Sequence, residues 1–351
     1  MKKIFFSGHS YHKKTKSSEF FIDLLNQYYN VTVHFDETWK TGELYDINLI
    51  KAEYDIVIFW QLIPAEVIKN KLHENIVFFP MFDGVSKDYN YWKRFTNIKI
   101  VNFSRTLHLM HKKWGLDSFY IQYFIKPVNN LKITENADIF FWQRRECLNI
   151  NTVTKIFENN ASKIHIHKSL DPNNHFTEPT KEQVEKYSIT YSTWFDTREE
   201  MQEMVRSKTF YIAPREEEGI GMSFLEAMAM GRVVVANNKV TMNEYIEDGV
   251  TGFLCDINNP VSINFDVDLK KIQKNTYNYC KEGYEKWLVN RKIILVFLEK
   301  PVKTDKIRLI FTKFCVSPKE LYLRIKRKIS KIMPKKVKET IKKFLKEGKI
   351  K

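Results

Sequence analysis

Long apolar runs are missing from this sequence. Nowhere do 18 consecutive apolar residues occur, so no membrane-spanning helix is expected. The opening MKKIFFSGHS has two lysines but only a short apolar stretch and no small-residue cleavage site, so no export leader is expected. Cysteine is sparse. Cys147, Cys255, Cys280 and Cys315 lie far apart with no CxxC and no Cys/His cluster, which speaks against a structural zinc or a disulfide scaffold and suits a reducing cytoplasm. None sits in a neighbourhood that marks a nucleophile, so each reads as a packing residue. No repeat of 20–50 residues is evident. Acidic residues are scarce in one region only. Residues 301–351 hold 18 Lys/Arg against 4 Asp/Glu, leaving 39 against 38 for residues 1–300, so the +15 net charge is almost entirely a property of the tail. A nearly neutral body with a basic tail weakens any reading as a basic, nucleic-acid-binding core.

What is present is enough for a substantial core. The 351 residues are 43% hydrophobic and 14% aromatic, which fits roughly two domains. Apolar, β-branched runs at 4–6, 31–35, 56–60, 76–79, 98–101 and 119–124 read as strands, with helical spacing at 18–28 and 105–113 between them. Pro and Asn interrupt the pattern at 126–136, marking a hinge. Strands then recur at 138–142, 163–167, 188–192, 209–213, 231–237 and 252–255, with helices at 152–159, 197–206 and 222–230. Strands alternating with helices imply parallel sheets covered on both faces. The fold class is therefore α/β: two Rossmann-like, doubly wound domains facing a cleft, over 1–130 and 131–300, followed by a basic amphipathic helical tail at 301–351. Ligands of such folds sit beyond the strands' C-terminal ends.

The densest chemistry follows Thr209, in APREEEGIGMSFLEAMAMG. Gly219 and Gly221 let the backbone approach a ligand, and the helix opening at Met222 points free N–H groups into the loop, a seat for an anion. Glu218 stands before the loop and Glu226 one turn inside the helix. Taken singly, either carboxylate is as well explained by an exposed loop or helix terminus.

The composite EGIGMSFLEAMAMG, followed by VVVA, NEYIEDG and TGFL, resembles the E-x7-E signature of retaining GT-B glycosyltransferases of the family-4 type (glycosyl transferases group 1). The likeness is dense over 209–256, looser over 138–300, and limited to the strand–helix alternation before 125. It implies a nucleotide-diphosphate-sugar donor held by the domain 131–300, with an acceptor bound by 1–130. Glu226 matches the residue holding the ribose hydroxyls, and Glu218 the one beside the donor sugar, a catalytic position. The backbone at Gly219, Ile220, Gly221 and Met222 would meet that sugar and its phosphates. Arg144, or Arg145 by a small shift of register, matches the diphosphate-binding arginine, and each also reads as an ordinary surface arginine. The family usually carries a lysine five residues on, where this chain has Asn149. Asp83, in FFPMFDGV, matches a position facing the acceptor, where a carboxylate orients or deprotonates a hydroxyl; an Asp-Gly turn without chemistry explains it almost as well. Gly8 and His9 resemble the family's glycine loop after the first strand.

No cofactor and no metal are expected. The Asp-x-Asp at Asp266 and Asp268 stands before a helix and reads as an N-terminal charge pair. His108, His111, His165 and His167 form no ligand-like set. In the tail, Ser317, Pro318 and Glu320 form a capping signal ahead of apolar residues at helical spacing. Arg324, Lys326, Arg327, Lys328, Lys335, Lys336, Lys342 and Lys343 occupy the other face, the pattern of a helix lying on an anionic membrane; packing back onto the body is the competing reading. Few aromatics accompany these cations, so nucleic acid is not an expected partner. The resemblance and the tail together imply a metal-independent glycosyltransferase at the inner face of a bacterial plasma membrane, with a glycan or lipid-linked acceptor in polysaccharide or lipopolysaccharide assembly. A GT-B sugar-nucleotide epimerase, or a non-catalytic membrane- or nucleic-acid-binding protein with a relic donor site, are the alternatives.

Overall fold

The computed structural model describes residues 1–158, 160–309 and 312. Two six-stranded sheets, parallel throughout, account for the strands. The first contains β1 (Lys3–His9), β2 (Asn30–Asp36), β3 (Ile56–Trp60), β4 (Ile76–Phe79), β5 (Lys99–Asn102) and β6 (Ser118–Tyr120) in the order β2-β1-β3-β4-β5-β6. The second contains β7 (Ile139–Gln143), β8 (Ile164–Lys168), β9 (Thr190–Ser192), β10 (Phe210–Ile212), β11 (Val233–Asn237) and β12 (Gly252–Cys255) in the order β12-β11-β10-β7-β8-β9. Sequence composition explains which strands are central. β3, β4 and β11 are apolar along nearly their whole length and buried at every residue, as helices on both faces require. Edge strand β2 carries Asn30, Thr32 and Val33 to solvent.

Two departures from the sequence pattern have physical causes. The apolar run at 119–124 pairs with β5 only over Ser118–Tyr120, and the chain then leaves the sheet. Tyr123 instead exchanges both backbone groups with the hydroxyl of Tyr245, in the second domain, at 3.2 and 3.0 Å. The second departure is the length of the helix Leu269–Glu299, capped by Asp268, which runs 31 residues through Gly283. Phe124 lies where a Cβ at Gly283 would stand, so a residue without a side chain lets the helix pass the crossing between domains.

That helix ends in the first domain. Lys99, fully buried at the start of β5, donates to the carbonyls of Phe297, Leu298 and Lys300, which a helix C-terminus leaves without partners. Tyr29 and Lys2 hold Glu299 at 2.9 and 2.8 Å. A second tie is reciprocal in kind. Glu244, after β11, accepts from Ser104 Oγ (3.1 Å) and from the amides of Arg105 (2.7 Å) and Thr106 (2.8 Å). A carboxylate of one domain thereby caps the helix Arg105–Lys113 of the other. No helix among the described residues is long and apolar enough to cross a membrane. The tail cations Arg324 to Lys343 lie outside the described residues.

Burial pulls the Lys99 pKa down to about 8, yet its three acceptors need a donor. Lys99→Met, which keeps the chain length and removes the donor, is expected to lower stability by about 2–4 kcal/mol. Urea denaturation of the wild type and variant checks this.

Candidate active site

The reactive-looking groups all come from the C-terminal ends of strands. Asp83 follows β4 in the first sheet; Arg144 and Arg145 follow β7, Asp171 follows β8, and Arg215 and Glu218 follow β10 in the second. The two sets meet. Arg144 places Nε and Nη2 on Asp171 Oδ1 at 2.9 and 2.6 Å, and Arg145 Nε stands 3.4 Å from the other oxygen. Arg215 reaches Asp171 at 3.3 Å, Glu218 at 3.9 Å and, across the domain boundary, Asp83 at 2.8 Å. Three guanidinium and three carboxyl groups thus form one partly buried cluster between the sheets.

Burial and pairing set the protonation of these acids. Asp83 is pushed up by burial, with Arg215 opposing. Asp171 also loses water, but Arg144 and Arg215 more than compensate and hold it below its ordinary value. Glu218, 7% exposed, is raised to about 7 by burial; Arg215 resists the shift and Asp83 adds to it. Each of the three keeps a charged partner within 4 Å, which a buried charge requires.

The glycines fit this geometry. Gly221 caps the helix Met222–Ala229 at φ +82°, and a Cβ there would overlap the Phe224 ring. A Cβ on Gly219 would stand 2.7 Å from Met81 Cβ and 3.0 Å from Asp83 Oδ1. Only glycine lets the loop come this near the first domain's wall. Thr241 fixes the loop by donating to the Glu218 carbonyl at 2.6 Å. Ile220 is buried and Met222 is partly buried in the same core.

Glu226 lies on that helix with its carboxyl largely enclosed. Burial raises its pKa, while an ion pair to Arg198 opposes the rise. Beneath it Phe140, Trp142, Tyr211 and Ser223 line a small cavity. Glu226, Glu218 and Arg144 all act on the buried Tyr211 hydroxyl, which stands among them.

Other expected residues fall elsewhere. Gly8 sits inside β1, in register with Phe35 and Trp60, and no described contact links it to the cluster. His9, held neutral as burial pulls it to about 4, stacks on Trp39 with centroids 4.2 Å apart. Asn149 is spent on the helix Ile150–Phe157, accepting from the amides of Asn151 and Thr152. Asp268 caps its helix through the Lys271 amide, and Asp266 takes an Asn264 side-chain bond on its own amide. His165 and His167 bond to Thr190 and Ser192 hydroxyls. Cys147, Cys255 and Cys280 are free. Among the described residues no group of three or more His, Cys, Asp or Glu is arranged to hold a metal ion.

Sequence reasoning missed Arg215, Asp171 and Arg198. Arg215 stands three residues before Glu218 in APREEEG, within the same loop. Asp171 carries one usable signal: it lies three residues beyond the C-terminal end of β8.

Residues 173–287 match the glycosyl transferases group 1 domain. The chain superposes on a sucrose-phosphate synthase from Thermosynechococcus elongatus with TM-score 0.58 and 11% identity, over 86% of this chain and 100% of that one. A glycosyltransferase from Rickettsia africae ESF-5 gives TM-score 0.56 and 17% identity, covering 85% and 98%. Anabaena HepE in complex with UDP-glucose gives 0.55 and 13%, covering 85% and 99%. No curated protein sequence matches significantly. The fold is GT-B, two Rossmann-like domains. The segment that matches the group 1 domain contains Arg198, Arg215, Glu218 and Glu226.

The buried Glu218 generates a stability prediction. The unfolded chain gives up this proton near pH 4.5 and the folded one near 7, so stability falls as pH rises between those values. Glu218→Gln is expected to match the wild type at pH 5 and to exceed it by about 2–4 kcal/mol at pH 8. Denaturant titrations at the two pH values check it.

Proposed function

We propose that this protein is a retaining, metal-independent glycosyltransferase of the family-4 type, moving a sugar from a nucleotide-diphosphate sugar to an acceptor hydroxyl. The observation that carries the proposal is the gathering of three arginines, Glu218 and Glu226 around one glycine loop, at the ends of the second sheet's strands. The group 1 domain match over 173–287, which includes Arg215, Glu218 and Glu226, supports it.

In this reading Glu226 accepts two hydrogen bonds from the ribose. Arg144, Arg145 and the loop amides before Met222 take the diphosphate. Glu218 lies against the donor sugar, and Asp83, on the facing wall, meets the acceptor. The bond from the anomeric carbon to the phosphate oxygen breaks, and its electron pair leaves with the nucleoside diphosphate. The acceptor oxygen forms the new bond on the same face, and its proton passes to Asp83. Negative charge grows on the leaving phosphate as the bond stretches. Fixed guanidinium groups in a partly dry cleft stabilise that charge by a few kcal/mol, about the usual worth of preorganised donors.

HepE is solved with UDP and glucose, and a lipopolysaccharide outer core galactosyltransferase, WaaB, has the same fold at TM-score 0.51 and 15% identity. These neighbours, with the basic tail, support an acceptor in bacterial cell-surface polysaccharide or lipopolysaccharide assembly, met at the inner face of the plasma membrane. The tail cations would then supply about 1 kcal/mol each near anionic lipid.

A thermal-shift panel of nucleotides and nucleotide sugars in EDTA tests the donor site. A ligand at a hundred times its Kd adds about 2.7 kcal/mol of stability. Nucleotides of one base are expected to stabilise the wild type, and Glu226→Ala is expected to lose most of that response. A panel that shifts neither protein would contradict the proposal.

A further inference from the structure

We propose that Arg215 is a positioning residue that couples the two substrates: without donor it holds Asp83, and on donor binding it turns to the diphosphate and releases Asp83 to the acceptor. This rests on the reading of the cleft as a nucleotide-sugar site.

Arg215 alone among the three clustered arginines pairs with both domains. Its Nη1 stands 2.8 Å from Asp83 and its Nη2 3.3 Å from Asp171. Its third donor, Nε, is buried with no hydrogen-bond partner, an arrangement that costs free energy unless an acceptor arrives. Arg144 differs. Its Nε and Nη2 both rest on Asp171, and its guanidinium lies over the Trp142 ring at 4.8 Å. An incoming diphosphate, met by Arg144 and Arg145, would find in Arg215 a further, unpartnered donor.

The charges of the two walls then decide which pair opens. Asp171 is held by three arginines and keeps two of them if Arg215 turns away. The ion pair to Arg215 is the only one Asp83 makes among the described residues. While that pair stands, Arg215 offsets part of the rise in proton affinity that burial gives Asp83. Once a diphosphate takes Arg215, Asp83 keeps the weaker influence of Lys87 and Arg145 against its burial, and its affinity for a proton rises. Gly219 keeps the space beside Asp83 Oδ1 clear of any side chain. The acceptor's base is therefore exposed only when a leaving group is in place, and binding is ordered with donor first.

Calorimetric titration in EDTA with the nucleoside monophosphate and diphosphate of one base, on wild type, Arg215→Ala, Arg215→Lys and Asp83→Asn, tests this. Arg215→Ala should lose about tenfold in diphosphate affinity, with the monophosphate within about twofold of wild type. Arg215→Lys should recover part of that loss. Asp83→Asn frees Arg215 and should bind diphosphate about three- to tenfold more tightly than wild type, with the monophosphate again unchanged. A merely structural role for the pair predicts the opposite for Asp83→Asn. Unchanged or weaker diphosphate binding by Asp83→Asn overturns the coupling, as does an equal loss of both nucleotides in Arg215→Ala. If wild type binds neither nucleotide, the nucleotide-site reading itself fails. If wild type binds both, and Glu226→Ala abolishes that binding while Arg215→Ala keeps full diphosphate affinity, only the coupling fails.

Discussion

The ion pair between Arg215 and Asp83 joins the two halves of this molecule at the point where their strands end. Charges taken out of water need partners, and neither domain supplies a balanced set alone. The second sheet contributes Arg144, Arg145, Arg215, Asp171 and Glu218, and the first contributes Asp83. Much of the local architecture follows from bringing these groups together. Gly219 has no side chain because Met81 and Asp83 stand against it, and Gly221 because the loop must turn into the helix over Phe224.

Other contacts hold the two sheets at the distance this pairing requires. Glu244 caps a helix of the opposite domain, the Tyr245 hydroxyl binds both backbone groups of Tyr123, and the helix Leu269–Glu299 delivers its last carbonyls to Lys99. At the cluster itself the boundary rests on the Arg215–Asp83 ion pair and on Met81 standing against Gly219.

Much of this was legible in the sequence. Continuous β-branched runs such as IVIFW and VVVAN announce central parallel strands, and the glycine spacing with Glu218 and Glu226 marks a candidate anion-binding loop, whose donor role only the family resemblance implies. The charge cluster was not legible, because its members lie on separate loops that meet only in three dimensions. Asp171 and Asp83 each follow a different strand, and no spacing rule connects them to Arg215. Asn149 shows the converse limit. Its position suggested a missing cation, whereas its side chain has a local task as a helix cap. The run at 119–124 misled for a similar reason: its alternation suits a strand, but a tyrosine hydroxyl from the other domain takes the backbone groups a sheet would have used.

The central claim is that these six charged groups form a receptor poised for a diphosphate. Proton linkage measures it most directly. Nucleoside diphosphate binding would be followed by calorimetry at pH 7.5 in two buffers of different ionisation enthalpy. Placing negative charge beside Glu218, whose burial already raises it to about 7, should raise it further, so binding should take up protons from the buffer. In Glu218→Gln that uptake should fall while binding heat remains. Binding of equal strength with no proton uptake in the wild type would contradict the account.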